Sequence, residues 1–178
     1  MHNILVKIED LIEEVETEDL DLDELLQLLH NLKNDVEEKI MNEEKNTSNA
    51  PDPVGNYPHS RKVGSLLFLS GVGPRKHGTN VIPGVLIDGQ GNTVIHDIEE
   101  QCHSVFNNVK IILEESGSHW DNLVDITVFL TDMKRDFDIY NRIYGDYFRG
   151  NQPCRTTVEV LSLPTPIAIE LKCIATID

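Results

Sequence analysis

Leucine and isoleucine recur at helical spacing through the first forty residues, with acids filling the gaps. Ile4, Leu5, Ile8, Leu11, Ile12 and Val15 form one stripe over residues 3–16. Thr17-Glu18-Asp19-Leu20 interrupts it, and Asp21 with Glu24 gives an Asp-x-x-Glu start of the capping-box kind. Leu22, Leu25, Leu26, Leu29, Leu32, Val36 and Ile40 form a second stripe that ends near Glu44. This pattern predicts an acidic helical hairpin over residues 1–45. Short helices are marginal in water, so the hairpin is expected to dock on the rest of the chain, pair with a copy of itself or bind a partner. Residues 46–54, with Pro51, Pro53 and small polar neighbours, predict a linker.

From residue 55 the period shortens and strands alternate with two helices. An apolar strand is expected over 66–72, then a short strand over 85–88 and a turn at Gly89-Gln90-Gly91-Asn92. Asp97 caps a predicted helix running to Glu115, with Val105, Val109, Ile112 and Leu113 facing inward and Gly117 ending it. A strand over 123–131, a helix over 137–148 and strands over 155–163 and 167–177 follow, the last two separated by Pro164-Thr165-Pro166. The arrangement predicts an α+β two-layer sandwich over residues 55–178, a sheet with two helices on one face. The other face then needs cover, and self-association is the economical source.

Charge changes the list of partners. The 178 residues carry 15 basic and 31 acidic side chains, a net of −16. Residues 1–50 hold 4 and 15 of them (net −11), and residues 51–178 hold 11 and 16 (net −5). A polyanionic surface repels phosphate backbones, so no nucleic-acid partner is expected. Cys102, Cys154 and Cys173 are odd in number with no CxxC spacing, which predicts reduced, mostly buried thiols. The apolar run at the start is short for a signal peptide and no membrane span is expected, so a cytoplasmic protein is the expectation. His77, His96, His103 and His119 lack metal-ligand spacing, and no phosphate-binding glycine loop occurs. Neither a metal nor another cofactor is expected.

The candidate chemistry lies near the end. In Pro153-Cys154-Arg155-Thr156-Thr157-Val158-Glu159-Val160, alternation sends Arg155, Thr157 and Glu159 to one face. Thr156, Val158 and Val160 go to the other, an apolar set expected to be buried. Arginine's fork matches a carboxylate in two parallel hydrogen bonds, so a strand-borne Arg155 is a rigid acid receptor. Taken alone, such an arginine is more often a solvated edge residue or half of a structural ion pair, for example with Glu170.

Several blocks change that weighting: Asn49-Ala50-Pro51, Gly55-Asn56-Tyr57, residues 63–71, residues 127–133, residues 153–160 and Ile169-Glu170. In this order, over roughly residues 49–178, the chain resembles the reactive-intermediate deaminase (Rid) family of enamine/imine deaminases. The resemblance implies a chorismate-mutase-like fold with a mixed sheet and a homotrimer with active sites between subunits. It also implies hydrolysis of an enamine or imine acid to a keto acid and ammonia. Arg155 matches the family's carboxylate receptor and Glu170 the strand glutamate that holds the water. Tyr57 matches the tyrosine that closes over the ligand, although Asn56 replaces the usual Pro. Asn141 matches an asparagine near the site, and Thr157 stands where many members have Cys. Tyr57-Pro58-His59 and Ser70-Gly71-Val72-Gly73-Pro74-Arg75 resemble the 2-aminomuconate deaminase subgroup, with the second stretch altered. That likeness implies His59 and Arg75 as donors to a second carboxylate. The expected substrate is a small imino or enamino acid, 2-aminomuconate-like. Broad action on 2-aminoacrylate and related imino acids, and a noncatalytic acid-binding trimer, are the alternatives.

Overall fold

A computed structural model describes residues 8, 12, 13, 15, 22–79, 81–90 and 92–177. The chain divides into two compact units, Met1–Glu43 and Glu44–Asp178. In the first, helix α1 (Leu22–Met41) opens with Asp23 and Glu24, whose charges suit the positive end of the helix dipole. The first predicted helix, over residues 3–16, falls largely outside the described residues. The second ends at Met41 rather than near Glu44, because the backbone there turns into strand β1 (Asn42–Lys45). Glu44 of that strand ion-pairs with Arg61.

The larger unit is an α+β fold. Strands β2 (Ser60–Val63), β3 (Leu66–Leu69), β6 (Leu123–Leu130), β7 (Cys154–Glu159) and β8 (Ile169–Thr176) join β1 in a six-stranded sheet of order β1-β2-β3-β8-β6-β7. β4 (Val85–Ile87) and β5 (Thr93–His96) form a separate antiparallel hairpin. β6 and β7 run parallel while β8 is antiparallel to both β3 and β6, so the sheet is mixed. Helix α3 (Met133–Tyr147) is the crossover that a parallel β6–β7 pair requires. It packs with α2 (Ile98–Glu115) over one sheet face.

Alternation builds the core. Leu67, Leu69, Ile126, Val128, Leu130, Ile169, Leu171, Cys173 and Ala175 all point toward the helices and are buried. They meet Val105, Phe106, Val109 and Leu113 of α2 and Tyr140 and Ile143 of α3. Each large aliphatic chain in that layer contributes about 1.5–3 kcal/mol by leaving water.

The opposite face is uncovered in the single chain. Val63, Leu66, Val124 and Val158 are exposed there, and Phe68, Phe129 and Ile174 are half-buried. The apolar set expected to be buried behind Arg155 is therefore on the open side, and Val158 is 37% exposed. Alternation separates two faces without saying which one the helices cover.

Boundaries differ where side chains act on the backbone. α3 begins at Met133, four residues before the expected start. Asp132 accepts from Arg135 N at 2.9 Å, and Glu159 reaches from β7 to accept from Met133 N at 2.6 Å. β7 stops at Glu159 and β8 begins at Ile169, shorter than the alternation suggested; Leu161 between them is fully exposed. β3 ends at Leu69, and Val72 returns as a lone bridge to Leu171. Among the described residues no helix is long and apolar enough to cross a membrane, and no three His, Cys, Asp or Glu side chains cluster.

Candidate active site

Two half-sites emerge, one on each sheet face. The first is on β7, the edge strand. Arg155 lies opposite Ile126 in the β6–β7 ladder, so both side chains point toward the helices. There the guanidinium carbon sits 4.4 Å from the Tyr144 ring centroid and 5.5 Å from that of Tyr140. A cation over an aromatic face gains about 0.5–2 kcal/mol. Burial pushes both phenols above their ordinary range, with Arg155 opposing, so the rings are neutral. Among the described residues no carboxylate pairs with Arg155. Its charge is held without being neutralised.

Asn141 lines the same surface cavity, of about 630 Å³, with Tyr144, Arg149, Gln152 and Arg155. Thr157, one pleat along from Arg155, has a buried hydroxyl with no hydrogen-bond partner among the described residues, as does Tyr144, while the Tyr140 hydroxyl lies within the influence of the Arg155 guanidinium. Buried hydroxyls are usually satisfied, so two beside one cation mark a polar pocket.

The second half-site is on β8. Glu170 faces the open side, opposite Phe129, and is half-buried. Burial pushes its carboxyl above the ordinary range and the Arg75 guanidinium pulls it part-way back. A carboxylate whose proton affinity is raised by burial is a better base toward a bound water. Gly71 lies against it: a Cβ there would stand 2.6 Å from Oε1 of Glu170. Only glycine lets the carboxyl occupy that position. Next to Gly71 is a small cavity of about 30 Å³, lined also by Tyr57, His59, Ser70 and Arg75. That is room for about one water molecule.

The expected residues thus fall into two groups. Arg155, Asn141 and Thr157 come together on the helix side; Glu170 faces the open side, and Tyr57, His59 and Arg75 line the small cavity beside Gly71, whose wall includes Ile112 of α2. The registers put Arg155 level with Ile126 and Glu170 level with Phe129. Two strand spacings of about 4.8 Å and three residues of about 3.3 Å place their Cα atoms about 14 Å apart, on opposite faces. Within one chain the two groups do not meet.

Two members do structural work. His59 is buried; Thr47 N donates to its Nδ1 at 3.2 Å and its Nε2 lies 3.1 Å from the Pro51 carbonyl. Both ring nitrogens are taken by backbone, so His59 braces the cavity wall and has no free donor for a carboxylate. Arg75 donates to the Asp52 carbonyl at 2.6 Å, and Asn108 holds the carbonyls of Gly73 and Arg75 at 2.9 and 2.8 Å. Tyr57 is 41% exposed beside Gly55. The cysteines do not enter: burial pushes the Cys102 thiol up to about 12, Cys173 is buried, and exposed Cys154 faces away from Arg155.

The sequence profile of the endoribonuclease L-PSP family matches residues 47–177, which contain both half-sites. The chain belongs to this family, the Rid/YjgF family. It is 38% identical over 129 residues to a RutC family protein of Pyrococcus abyssi, covering 72% of this chain and 92% of that one. It is 35% identical over 138 residues to Reactive Intermediate Deaminase A of Arabidopsis thaliana, covering 78% and 67%. The structure of E. coli TdcF with bound serine superposes with a TM-score of 0.66 at 29% identity, covering 76% of this chain and 99% of that one. The Rid match leaves the acidic N-terminal unit outside. Within the Rid region, Tyr140 and Tyr144 are the site residues that sequence reasoning missed. Their signal was the i, i+4 spacing on the helix preceding the arginine strand.

Proposed function

We propose that this protein hydrolyses the enamine or imine of a carboxylic acid to the keto acid and ammonia, with a dicarboxylate of the 2-aminomuconate type as substrate. The observation that carries this reading is the Arg155 guanidinium, held over two neutral tyrosine rings with no carboxylate partner. An incoming carboxylate supplies the missing charge in two parallel hydrogen bonds. Glu170 holds the water and draws off a proton as the oxygen bonds to the imine carbon. That proton and then the proton of the new hydroxyl pass to the nitrogen, the carbon–nitrogen bond breaks, and ammonia leaves as the carbonyl forms.

In this reading Arg155 of one copy works with Glu170 of a neighbour in a homotrimer. The uncovered apolar face and the separation of the half-sites support it. The serine bound to TdcF supports a carboxylate-bearing ligand in this family. The family name also carries an endoribonuclease label, but a net charge of −16 and a site holding one unneutralised guanidinium favour a small acid over RNA.

Ammonia release from freshly generated 2-aminomuconate and 2-iminopropionate tests the proposal. Release is expected from both, with larger kcat/KM for the dicarboxylate. Arg155→Ala should lower kcat/KM by about 10- to 100-fold, the worth of a charge-assisted contact, while lowering the melting temperature by only a few degrees, the worth of its contact with the two rings. No release above the buffer rate would sink the reading.

A further inference from the structure

Glu170 shares the open face of β8 with Lys172, two residues on and about 7 Å along the strand. Beside them lies a cavity of about 440 Å³ whose lining includes Tyr57, Arg61, Phe68, Gly71 and Lys172. Gly71 lies against the Glu170 carboxyl, so the cavity begins where the hydrolytic water would be held. The Phe68 and Tyr57 rings give it apolar walls, and its far end is cationic.

The other cations nearby are engaged. Arg61 ion-pairs with Glu44, and Arg75 holds the Asp52 carbonyl and acts on Glu170. Both nitrogens of His59 are held by backbone. Lys172 has no hydrogen bond or ion pair among the described residues. It is also not what perturbs Glu170, whose charged neighbour is Arg75.

We propose that Lys172 receives the second carboxylate of a linear, unsaturated dicarboxylate whose imine carbon lies at Glu170. This rests on the reading of Glu170 as the water-holding acid. In a six-carbon diacid, the carbon under attack and the far carboxylate are about four bonds apart, a span comparable to one pleat repeat. The diene between them lies along the two rings. Lysine suits the position because its compact charge rides on a flexible stem and can meet a carboxylate at the end of a chain. The arrangement discriminates against monoacids, which leave the ammonium without a partner.

The test uses unreactive probes, so that it does not depend on turnover. Calorimetry with the full chain compares trans,trans-muconate with sorbate, the same six-carbon trans,trans diene carrying one carboxylate. Muconate is expected to bind the native protein more tightly. Lys172→Met should weaken muconate by about tenfold or more and leave sorbate unchanged, and Lys172→Arg should restore most of the difference. Muconate affinity that is no better than sorbate's, or that survives Lys172→Met, overturns the subsite, as does an equal loss for both acids. Ammonia release separates the two ideas. A protein that binds muconate through Lys172 but releases no ammonia keeps the subsite and loses the deaminase reading; one that deaminates regardless of position 172 does the reverse.

Discussion

A guanidinium fixed between phenol rings differs from one fixed by a carboxylate. An ion pair would satisfy Arg155 and close it to a metabolite; the faces of Tyr140 and Tyr144 orient it and leave its charge available. Glu170 shows the reverse arrangement, an acid whose ionised form is disfavoured by burial more than Arg75 favours it. Its sign has a thermodynamic consequence. A carboxyl raised on folding binds its proton more firmly in the native state, so stability is greatest below the unfolded value and declines as pH rises through the raised one. Glu170→Gln removes that titration. The variant should be inactive yet at least as resistant to urea as the native protein at pH 8, with the native protein regaining parity as pH falls into the ordinary carboxylate range. Urea midpoints at the two pH values check this, and a variant less stable at pH 8 contradicts it.

At the scale of elements, β7 and α3 act as one device. Arg155, Thr157 and Glu159 alternate on the same side of β7; the first reaches the rings of α3 and the last accepts from its first backbone N–H. Asn141 and the two tyrosines are thereby set in rotation and height against the arginine strand. On the other face, the bridge between Val72 and Leu171 brings Gly71 flush against Glu170. Gly71→Ala should drive the carboxyl aside and lower kcat/KM at least tenfold with little change in Tm, because the displaced group is the end of a flexible side chain. Full activity in that variant would mean Glu170 can work from another position.

Much of this was legible in the chain. The Pro153–Val160 alternation put Arg155 and Thr157 on a shared face, and the 169–170 block placed the acid on a strand. What local pattern could not carry was any fact requiring a second element. It did not say which face the helices cover, that Glu159 starts α3 four residues early, or that Tyr140 and Tyr144 lie over Arg155. It also made His59 a ligand donor, since the backbone groups of Thr47 and Pro51 that occupy it are fixed only by tertiary folding.

For the whole molecule, the proposed function makes Arg155 and Glu170 of one chain parts of two different sites. Alone, Arg155→Ala chains should keep about 1–10% of native kcat/KM and Glu170→Gln chains should be inactive. Unfolded together and refolded as mixed assemblies, they should recover a fraction of native turnover, because some contacts then pair an intact arginine with an intact glutamate from another copy. Mixtures no more active than the Arg155→Ala parent would place both groups in the service of one chain. The acidic unit Met1–Glu43 lies outside the Rid match and adds most of the negative charge.

The location of β7 at the sheet margin has one more consequence. A marginal strand keeps main-chain donors and acceptors unused along its outer side, ready to meet whatever approaches. The segment proposed to receive the metabolite is thus also the one most available to a neighbouring polypeptide, so filling the pocket and joining subunits would pull on the same six residues.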